Sequence, residues 1–505
     1  MTLFGTGVGR VCAVVAAPTA SDMGRQVRFA LEDTGTIELR LDWLRNDEER
    51  SRFLLWLRKN RPRSATFLAT CRRRLAGGKF PADIHHELYW LIQARDAGCQ
   101  WCDLEMETFR ELPEGLLREY PLPPRILLSI HDFEGTPKLP RKVIVAHGLV
   151  DAVKIAAKSQ TISDSVRLLK VARRSRNFVA VPMGDVGLPA RILALREGSE
   201  LAYAPVAEAT APGQVSLHEM LQLYRAHKLN RETRVYGVIG DPVGHSLSPL
   251  LHNTGFAAHH VNAVYLPFLV HQLRDFLLAI PGFDIRGFSV TLPHKQAILK
   301  HLKECEPLAA DIGAVNTVVV RRDGSLYGCN TDYVGVLRAL QKKFRLKGSR
   351  ALIFGAGGSA RAAAFALSRA GAMVGICARR ENAAKGLARA IGGEVVPRRA
   401  LRTEFFDAIL NATPVGMVPH AGISPLAAAE LRCRVVMDLV YRPQRTQFLK
   451  IAAKKGIATV SGLEMFLAQG IAQWEIWTEK HAPEAAMRGA VLGALRAEEK
   501  SRQRR

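Results

Sequence analysis

The 505-residue chain is short of aromatics, cysteines, acidic residues and long apolar runs, and each shortage excludes something. Aromatic residues make up 7%, and no RRM, zinc-finger or basic-zipper pattern accompanies them, so nucleic-acid binding is not expected. Eight cysteines are too sparse and scattered for a disulfide scaffold. Cys99 and Cys102 have CxxC spacing but lack a second pair or ligand histidines. They fall in an apparent strand (Cys99–Met106) and read as core residues, with no metal site expected. No apolar run reaches the ~18 residues that span a membrane. The patch Val11–Ala17 lacks a basic lead-in and reads as a first strand rather than a signal peptide, so the expectation is a reducing cytoplasm. The 47 acidic residues are outnumbered by 71 basic ones, for a formal charge of +24. Residues 1–230 hold 33 basic and 26 acidic residues, net +7, which leaves +17 for the remainder. Such a field suits small anions, and only the final RAEEKSRQRR looks like a basic tail. Against these shortages, 48% apolar and 23% charged residues are ordinary for a folded chain. At ~100–200 residues per domain the length suggests three domains, or two if one is a large barrel.

Apolar, β-branched runs recur at Val11–Ala17, Thr36–Leu44, Ala65–Arg72, Gln100–Met106, Arg125–Phe133, Asp151–Ala157, Phe178–Gly184 and Leu201–Glu208. Amphipathic stretches such as His85–Ala97 and Ser163–Ser175 separate most of them. Eight strands alternating with helices imply a closed (β/α)8 barrel, whose sites collect at the C-terminal strand ends. Glu38, Arg40, Arg72, His131 and Lys154 stand there, with Arg191 just beyond the seventh strand. An apolar strand gains nothing from such charges, so they read as functional.

Arg225–Arg234 reads as a linker, after which strands resume at Tyr236–Gly240, Ala263–Phe268, Gly287–Pro293 and Asn316–Gly328. A further unit opens at Arg350–Leu367 and continues through Val374–Arg380, Ala408–Pro414, Val435–Tyr441 and Ala458–Gly462. Helices from Leu463 to about Arg496 close the chain. Gly355, Ala356, Gly357, Gly358, Ser359 and Ala360 fit GxGxxA between a strand and an Ala-rich helix. The glycines allow a tight turn and close backbone approach, and the helix N-terminus faces a pyrophosphate. The next strand ends in Arg379 and Arg380 where an NAD site places an acidic residue. Two guanidinium groups suit a 2′-phosphate, so NADP is favoured over NAD.

Over Val235–Val491 the sequence resembles shikimate dehydrogenase, through GDPVGHSLSP, GFSVTLPHK, GAVNTV, NTDYVG, GAGGSAR, NATPVGM, DLVY and GLEMFLAQG. The resemblance implies Lys295 and Asp332 as the catalytic pair beside the carbonyl. It implies Ser246 and Ser248 as carboxylate contacts, and Thr291, Asn316, Tyr441 and Gln469 as further substrate ligands. Asn411 and Thr413 join the cofactor set. The chemistry agrees: hydride delivery to a ketone leaves an alkoxide that needs a proton or a positive charge.

Across about Val11–Tyr224 the chain resembles type I 3-dehydroquinate dehydratase, through ELRLD, TCR, SIHDF, AVKIA, PMGDVGLPAR and ATAPGQ. The resemblance implies an imine on Lys154, with His131 moving protons. It implies that Arg191 binds the substrate carboxylate while Glu38, Arg40, Arg72, Thr210 and Gln214 hold other oxygens. A ketone α-proton is weakly acidic; a protonated imine supplies the electron sink that lets it leave. The lysine must be neutral to attack, which burial near arginines favours. His131 titrates near neutrality without special tuning. Ala76 stands where the family commonly has a glutamate that orients this histidine, so its orientation needs another source, Glu105 or a backbone group.

The fold expected is α/β: a (β/α)8 barrel followed by an α/β substrate domain and a Rossmann NADP domain. The boundaries are 1–228, 234–340 joined by 463–496, and 345–462. The leading reading is a bifunctional enzyme that takes 3-dehydroquinate to 3-dehydroshikimate and then, with NADPH, to shikimate. Two others stay open: a shikimate/quinate reductase with an impaired barrel, and a non-enzymatic ligand-sensing or nucleic-acid-binding scaffold.

Overall fold

Each apolar run of the first half becomes a strand: β1 (Val11–Val15), β2 (Thr36–Arg40), β3 (Thr66–Thr70), β4 (Trp101–Glu105), β5 (Arg125–Asp132), β6 (Ala152–Lys158), β7 (Phe178–Met183) and β8 (Ala202–Pro205). The computed structural model describes residues 3–5, 7–81, 83–112, 121–137, 150–207, 213–341, 343–418 and 420–503. These strands form one parallel sheet in the order β7-β6-β5-β4-β3-β2-β1-β8. The sheet curls into a near-closed barrel whose last seam is tied by the turn before β8. There Glu200 N donates to the Phe178 carbonyl at 2.8 Å. Ser199 Oγ accepts from Ala180 N at 3.0 Å and donates to the Leu201 carbonyl at 2.7 Å.

Strand side chains alternate between faces, and that period stacks the barrel interior in layers. Leu68, Trp101, Leu127, Ala152, Val179 and Leu201 form an apolar floor. Phe4 stacks on Trp101, ring centroids 4.2 Å apart, and closes the N-terminal end. Two residues along, the buried side chains turn polar, with Glu38, Thr70, Asp103, Ser129 and Lys154. Two further on stand Arg40, Arg72, Glu105 and His131. The chemistry-bearing layers therefore lie toward the C-terminal ends of the strands, where this architecture builds its sites.

By packing, the chain divides into two units: Met1–Val235 with Asn262–Asp284, and Tyr236–Val261 with Ile285–Arg505. The sequence grouped 262–284 with the domain that starts at 234; its contacts explain the packing observed. The helix Ile162–Arg174 begins with a Thr161/Asp164 capping box. Asp275 accepts from Ile162 N at 2.6 Å and from Ser163 Oγ at 2.5 Å. Arg173 donates to the Gly282 carbonyl at 3.0 Å.

Strands continue as β9 (Arg234–Gly240), β10 (Ala263–Leu269), β11 (Ile285–Val290), β12 (Glu304–Cys305), β13 (Thr317–Val320) and β14 (Leu326–Cys329). In the second unit they follow the order β9-β11-β13-β14-β12. The single run expected at Asn316–Gly328 is a hairpin, because Gly324 takes φ +81° and turns the chain between β13 and β14. The last sheet comprises β15 (Arg350–Phe354), β16 (Met373–Cys377), β17 (Glu394–Val395), β18 (Phe406–Asn411), β19 (Cys433–Asp438) and β20 (Ala458–Val460). Its order, β17-β16-β15-β18-β19-β20, is the parallel doubly wound order of dinucleotide-binding folds. The closing helical stretch is two helices, Gly462–Thr478 and Glu484–Gln503, broken where Glu479 takes φ +57° ahead of Pro483. No helix among the described residues is long and apolar enough to cross a membrane.

Candidate active sites

In the barrel, a cavity of about 180 Å³ opens over the polar layers. Lys154 is buried on β6 and forms an ion pair with Asp103 of β4. Asp103 also accepts from Ser129 Oγ at 2.5 Å and from Arg72 at 3.4 Å. Burial opposes its charge, yet Lys154 and Arg72 together hold the carboxyl below its ordinary range. Arg72 donates through Nε to Glu105 at 2.6 Å, and the other Glu105 oxygen lies 2.9 Å from His131 Nδ1. Glu105 is thus the carboxylate that meets this imidazole, and it favours the Nδ1–H tautomer with Nε2 bearing the lone pair. Burial, with Arg72 and Lys154 nearby, pushes His131 well below 6.5. This corrects the expectation that it titrates near neutrality: burial, with the charges of Arg72 and Lys154, disfavours the protonated imidazole.

Glu38 accepts from Thr70 Oγ1 at 2.7 Å, and Arg40 makes a two-pronged pair with Asp42 at 2.9 and 2.8 Å. Both face the cavity, as does Gln214. Thr210 lies outside the described residues. Arg191 sits on the short helix Leu188–Leu193, 5% exposed, and lines the same cavity. Its Nε donates to the Pro182 carbonyl at 2.6 Å, and no carboxylate pairs with it among the described residues. Burial pulls its pKa down to about 10. Sequence reasoning missed Asp103, Ser129 and Asp42. The signal for Asp103 was legible in WCDLE, an acidic residue on the same strand face as Trp101. Cys99 and Cys102 are buried, and burial pushes the Cys99 thiol up to about 12.

In the second unit, Lys295 Nζ donates to Asp332 Oδ2 at 2.5 Å and to Ser359 Oγ at 3.3 Å. Asn316 Nδ2 donates to Asp332 Oδ1 at 2.7 Å and lies 3.5 Å from Gln469 Oε1. Gln473, which the sequence reading missed, is buried and braces this group. It accepts from Ser289 Oγ at 2.8 Å and donates to the Asn316 carbonyl at 3.2 Å. Ser246 and Ser248 share a turn, with Ser248 N donating to Ser246 Oγ at 3.2 Å. Tyr441 meets Ser246 and the Leu247 backbone, stacks on Phe466 at 4.4 Å, and has its phenol pKa raised by burial. Thr291 follows β11, its N–H bonded to the Ile239 carbonyl at 3.0 Å and its position packed against Gly240.

The glycine turn follows β15 at the point where strand order reverses. Gly355 takes φ +126°, and a Cβ there would meet the Ala412 carbonyl at 3.1 Å. A Cβ on Gly357 would stand in open space, and one on Gly358 would lie 3.3 Å from Lys295. The helix Gly358–Arg369 starts without a side-chain cap, so its first N–H groups face the turn. Ala356, Ser359 and Ala360 complete that turn and the first helical residues. Across the crevice Thr413 Oγ1 donates to Asn411 Oδ1 at 2.7 Å, and Asn411 Nδ2 donates to Asp438 at 2.9 Å. Asp438 is fully buried, and burial raises its carboxyl to about 6. Arg379 and Arg380 are exposed at the end of β16.

Residues 11–231 match the family model for type I 3-dehydroquinase. Residues 238–318 match the shikimate dehydrogenase substrate binding domain, and 462–492 the shikimate 5′-dehydrogenase C-terminal domain. A chloroplastic bifunctional 3-dehydroquinate dehydratase/shikimate dehydrogenase of Arabidopsis thaliana is 33% identical over 94% of this chain and 82% of its own. The NADP(+) shikimate dehydrogenase of Thermococcus kodakarensis is 43% identical over 52% of this chain and 98% of its own. A crystal structure of a shikimate dehydrogenase with NADP+ aligns with a TM-score of 0.50 and 36% identity, over 53% of this chain and 97% of that one. Both halves are represented in order along one chain, and the chain belongs to the family of bifunctional 3-dehydroquinate dehydratase/shikimate dehydrogenases.

Proposed function

We propose that the chain dehydrates 3-dehydroquinate in its barrel and reduces the resulting 3-dehydroshikimate to shikimate with NADPH. The observation that carries this reading is a buried amine and a buried guanidinium with no carboxylate partner among the described residues, both facing one cavity, in a chain that also holds a lysine–aspartate pair beside a glycine turn. We assign residues 1–228 to the dehydratase, 234–340 with 463–496 to the reductase's substrate domain, and 345–462 to its NADP domain.

In the barrel, Arg191 takes the substrate carboxylate and Lys154, once it has given up its proton, attacks the ketone. Water leaves as the imine forms. Neutral His131, held through Nδ1 by Glu105, uses Nε2 to relay protons during imine formation and elimination. Glu38, Arg40, Arg72, Thr210 and Gln214 hold the remaining oxygens.

In the reductase, Ser246, Ser248 and Tyr441 hold the carboxylate end, while Thr291, Asn316 and Gln469 hold ring hydroxyls. Lys295, fixed by Asp332, stands at the reacting oxygen and gives it a proton. The residues present fit NADP: Gly357 leaves room for backbone approach, the uncapped helix N-terminus suits the pyrophosphate, and Arg379 and Arg380 suit a 2′-phosphate. Gly355, Ala356, Gly358, Ser359, Ala360, Asn411 and Thr413 complete the crevice. When bound, the nicotinamide supplies the hydride. Eight unpaired cysteines support a reducing compartment, which we assign as the cytoplasm.

The test is a one-pot assay of the purified chain with 3-dehydroquinate and NADPH, following loss of reduced nicotinamide. Oxidation is expected, with NADH a poor replacement. Oxidation only after 3-dehydroshikimate is added would favour the impaired-barrel reading, and none with either substrate would sink both enzymatic readings.

A further inference from the structure

β8 carries Tyr203 into the barrel interior, opposite Cys12 of β1. The residue is 8% exposed and lines the same cavity as Glu38, Lys154 and Gln214. Lys154 Nζ stands 5.1 Å from its ring centroid. Its hydroxyl is buried, and no hydrogen-bond partner meets it among the described residues.

The surrounding polar groups are already engaged. Glu38 accepts from Thr70, Asp103 binds Ser129 and Lys154, and Glu105 binds Arg72 and His131. Packing does not call for an oxygen at this position either: Tyr203 clusters with Val14, Val179, Val181 and Leu201, which are all apolar. A phenylalanine would fill the same space without desolvating a hydroxyl, and buried tyrosine hydroxyls ordinarily find a partner.

We propose that Tyr203 contacts the substrate of the dehydratase, its hydroxyl donating a hydrogen bond to an oxygen of the hydroxylated cyclic keto acid that Lys154 engages. This rests on the dehydratase reading above and adds to it a residue that helps select for an oxygen-bearing ring. Burial, with Glu38 and Cys12 nearby, pushes the phenol well above its ordinary range, so the hydroxyl serves as a donor and not as a base.

Tyr203→Phe in the full chain removes one atom and keeps the ring. The expected result is a roughly tenfold fall in kcat/KM for dehydration of 3-dehydroquinate, the size of one lost hydrogen bond. The fall should appear mainly in KM. Reduction of 3-dehydroshikimate by the same sample should be unchanged, and the melting temperature unchanged or higher. A dehydratase kcat/KM within twofold of wild type overturns the proposal, and so does a loss accompanied by a lowered melting temperature, which would make the hydroxyl structural. A wild-type chain that turns over no 3-dehydroquinate refutes the underlying reading instead.

Discussion

Arg191 is a buried charge with no carboxylate partner among the described residues. It is 5% exposed, and among the described residues its hydrogen bond goes to the Pro182 carbonyl at 2.6 Å. Burial lowers its pKa from 12.5 to about 10. Between those values the unfolded chain binds more protons than the folded one, so stability climbs with pH there and the whole penalty stands at pH 7. A depression of that size corresponds to ~3 kcal/mol. Arg191→Met keeps a long apolar stem and removes the charge, but forfeits the Pro182 bond, worth ~1 kcal/mol. The variant should therefore be more stable by ~1–2 kcal/mol, a rise of roughly 2–8 °C for a unit of this size. Function should move the other way. A substrate carboxylate compensates the buried guanidinium, and losing ~3 kcal/mol of that compensation raises KM about 10²-fold. Calorimetry of the barrel transition measures the first effect, and the ultraviolet absorbance of the conjugated enone product measures the second. A variant that melts lower while its KM stays put would refute the reasoning, because Arg191 would then be a structural residue.

Other consequences follow from the same geometry. Lys154→Ala should abolish dehydration while leaving reduction of 3-dehydroshikimate intact; borohydride with 3-dehydroquinate should add mass to the wild type and none to the variant. Asp438 is raised from 3.8 to about 6 by burial, so its contribution is favourable at low pH and is lost as pH rises through 6. Asp438→Asn should therefore be more stable than wild type at pH 8 by up to ~3 kcal/mol, with the difference vanishing below pH 4 in denaturant melts. A variant less stable at both pH values would show that the bonds to Asn411, Val440 and Thr446 outweigh the buried charge. Replacing Arg379 and Arg380 by alanine should raise KM for NADPH at least tenfold and leave KM for NADH little changed. An equal rise for both cofactors would assign these exposed arginines a general electrostatic role.

The barrel was legible because parallel strands buried on both faces read as continuous apolar runs, and charges at their ends stand out. Lys154, His131 and Arg191 were visible for that reason. What Lys154 pairs with was not: Asp103 is 51 residues away, a separation that the barrel closes and a local pattern does not encode, whereas Glu105 stood in the sequence reading beside a backbone group as a source of His131's orientation. The edge strands Glu304–Cys305 and Glu394–Val395 escaped because two residues carry no period. Likewise the lowered His131 pKa depends on three strands converging, so a residue-type argument placed its titration too high.

In the proposed mechanism each half uses a lysine beside an aspartate, and the surroundings separate their tasks. Lys295 is 16% exposed, and Asp332 is anchored from its other oxygen by Asn316. An alkoxide arriving there meets a proton donor whose position is fixed and whose proton can be replaced from water. The Lys154–Asp103 pair is sealed, with side-chain exposures of 4% and 0%. In the proposed mechanism the amine's proton passes to a neighbour within the cavity. His131 is neutral and carries a lone pair on Nε2, so in the proposed mechanism it is the group that takes the proton. Burial that disfavours a charged imidazole keeps His131 in the form that can act as a base, and truncating Phe133, whose ring stacks on it at 5.9 Å, should relieve that burial and raise the pH at which dehydration begins.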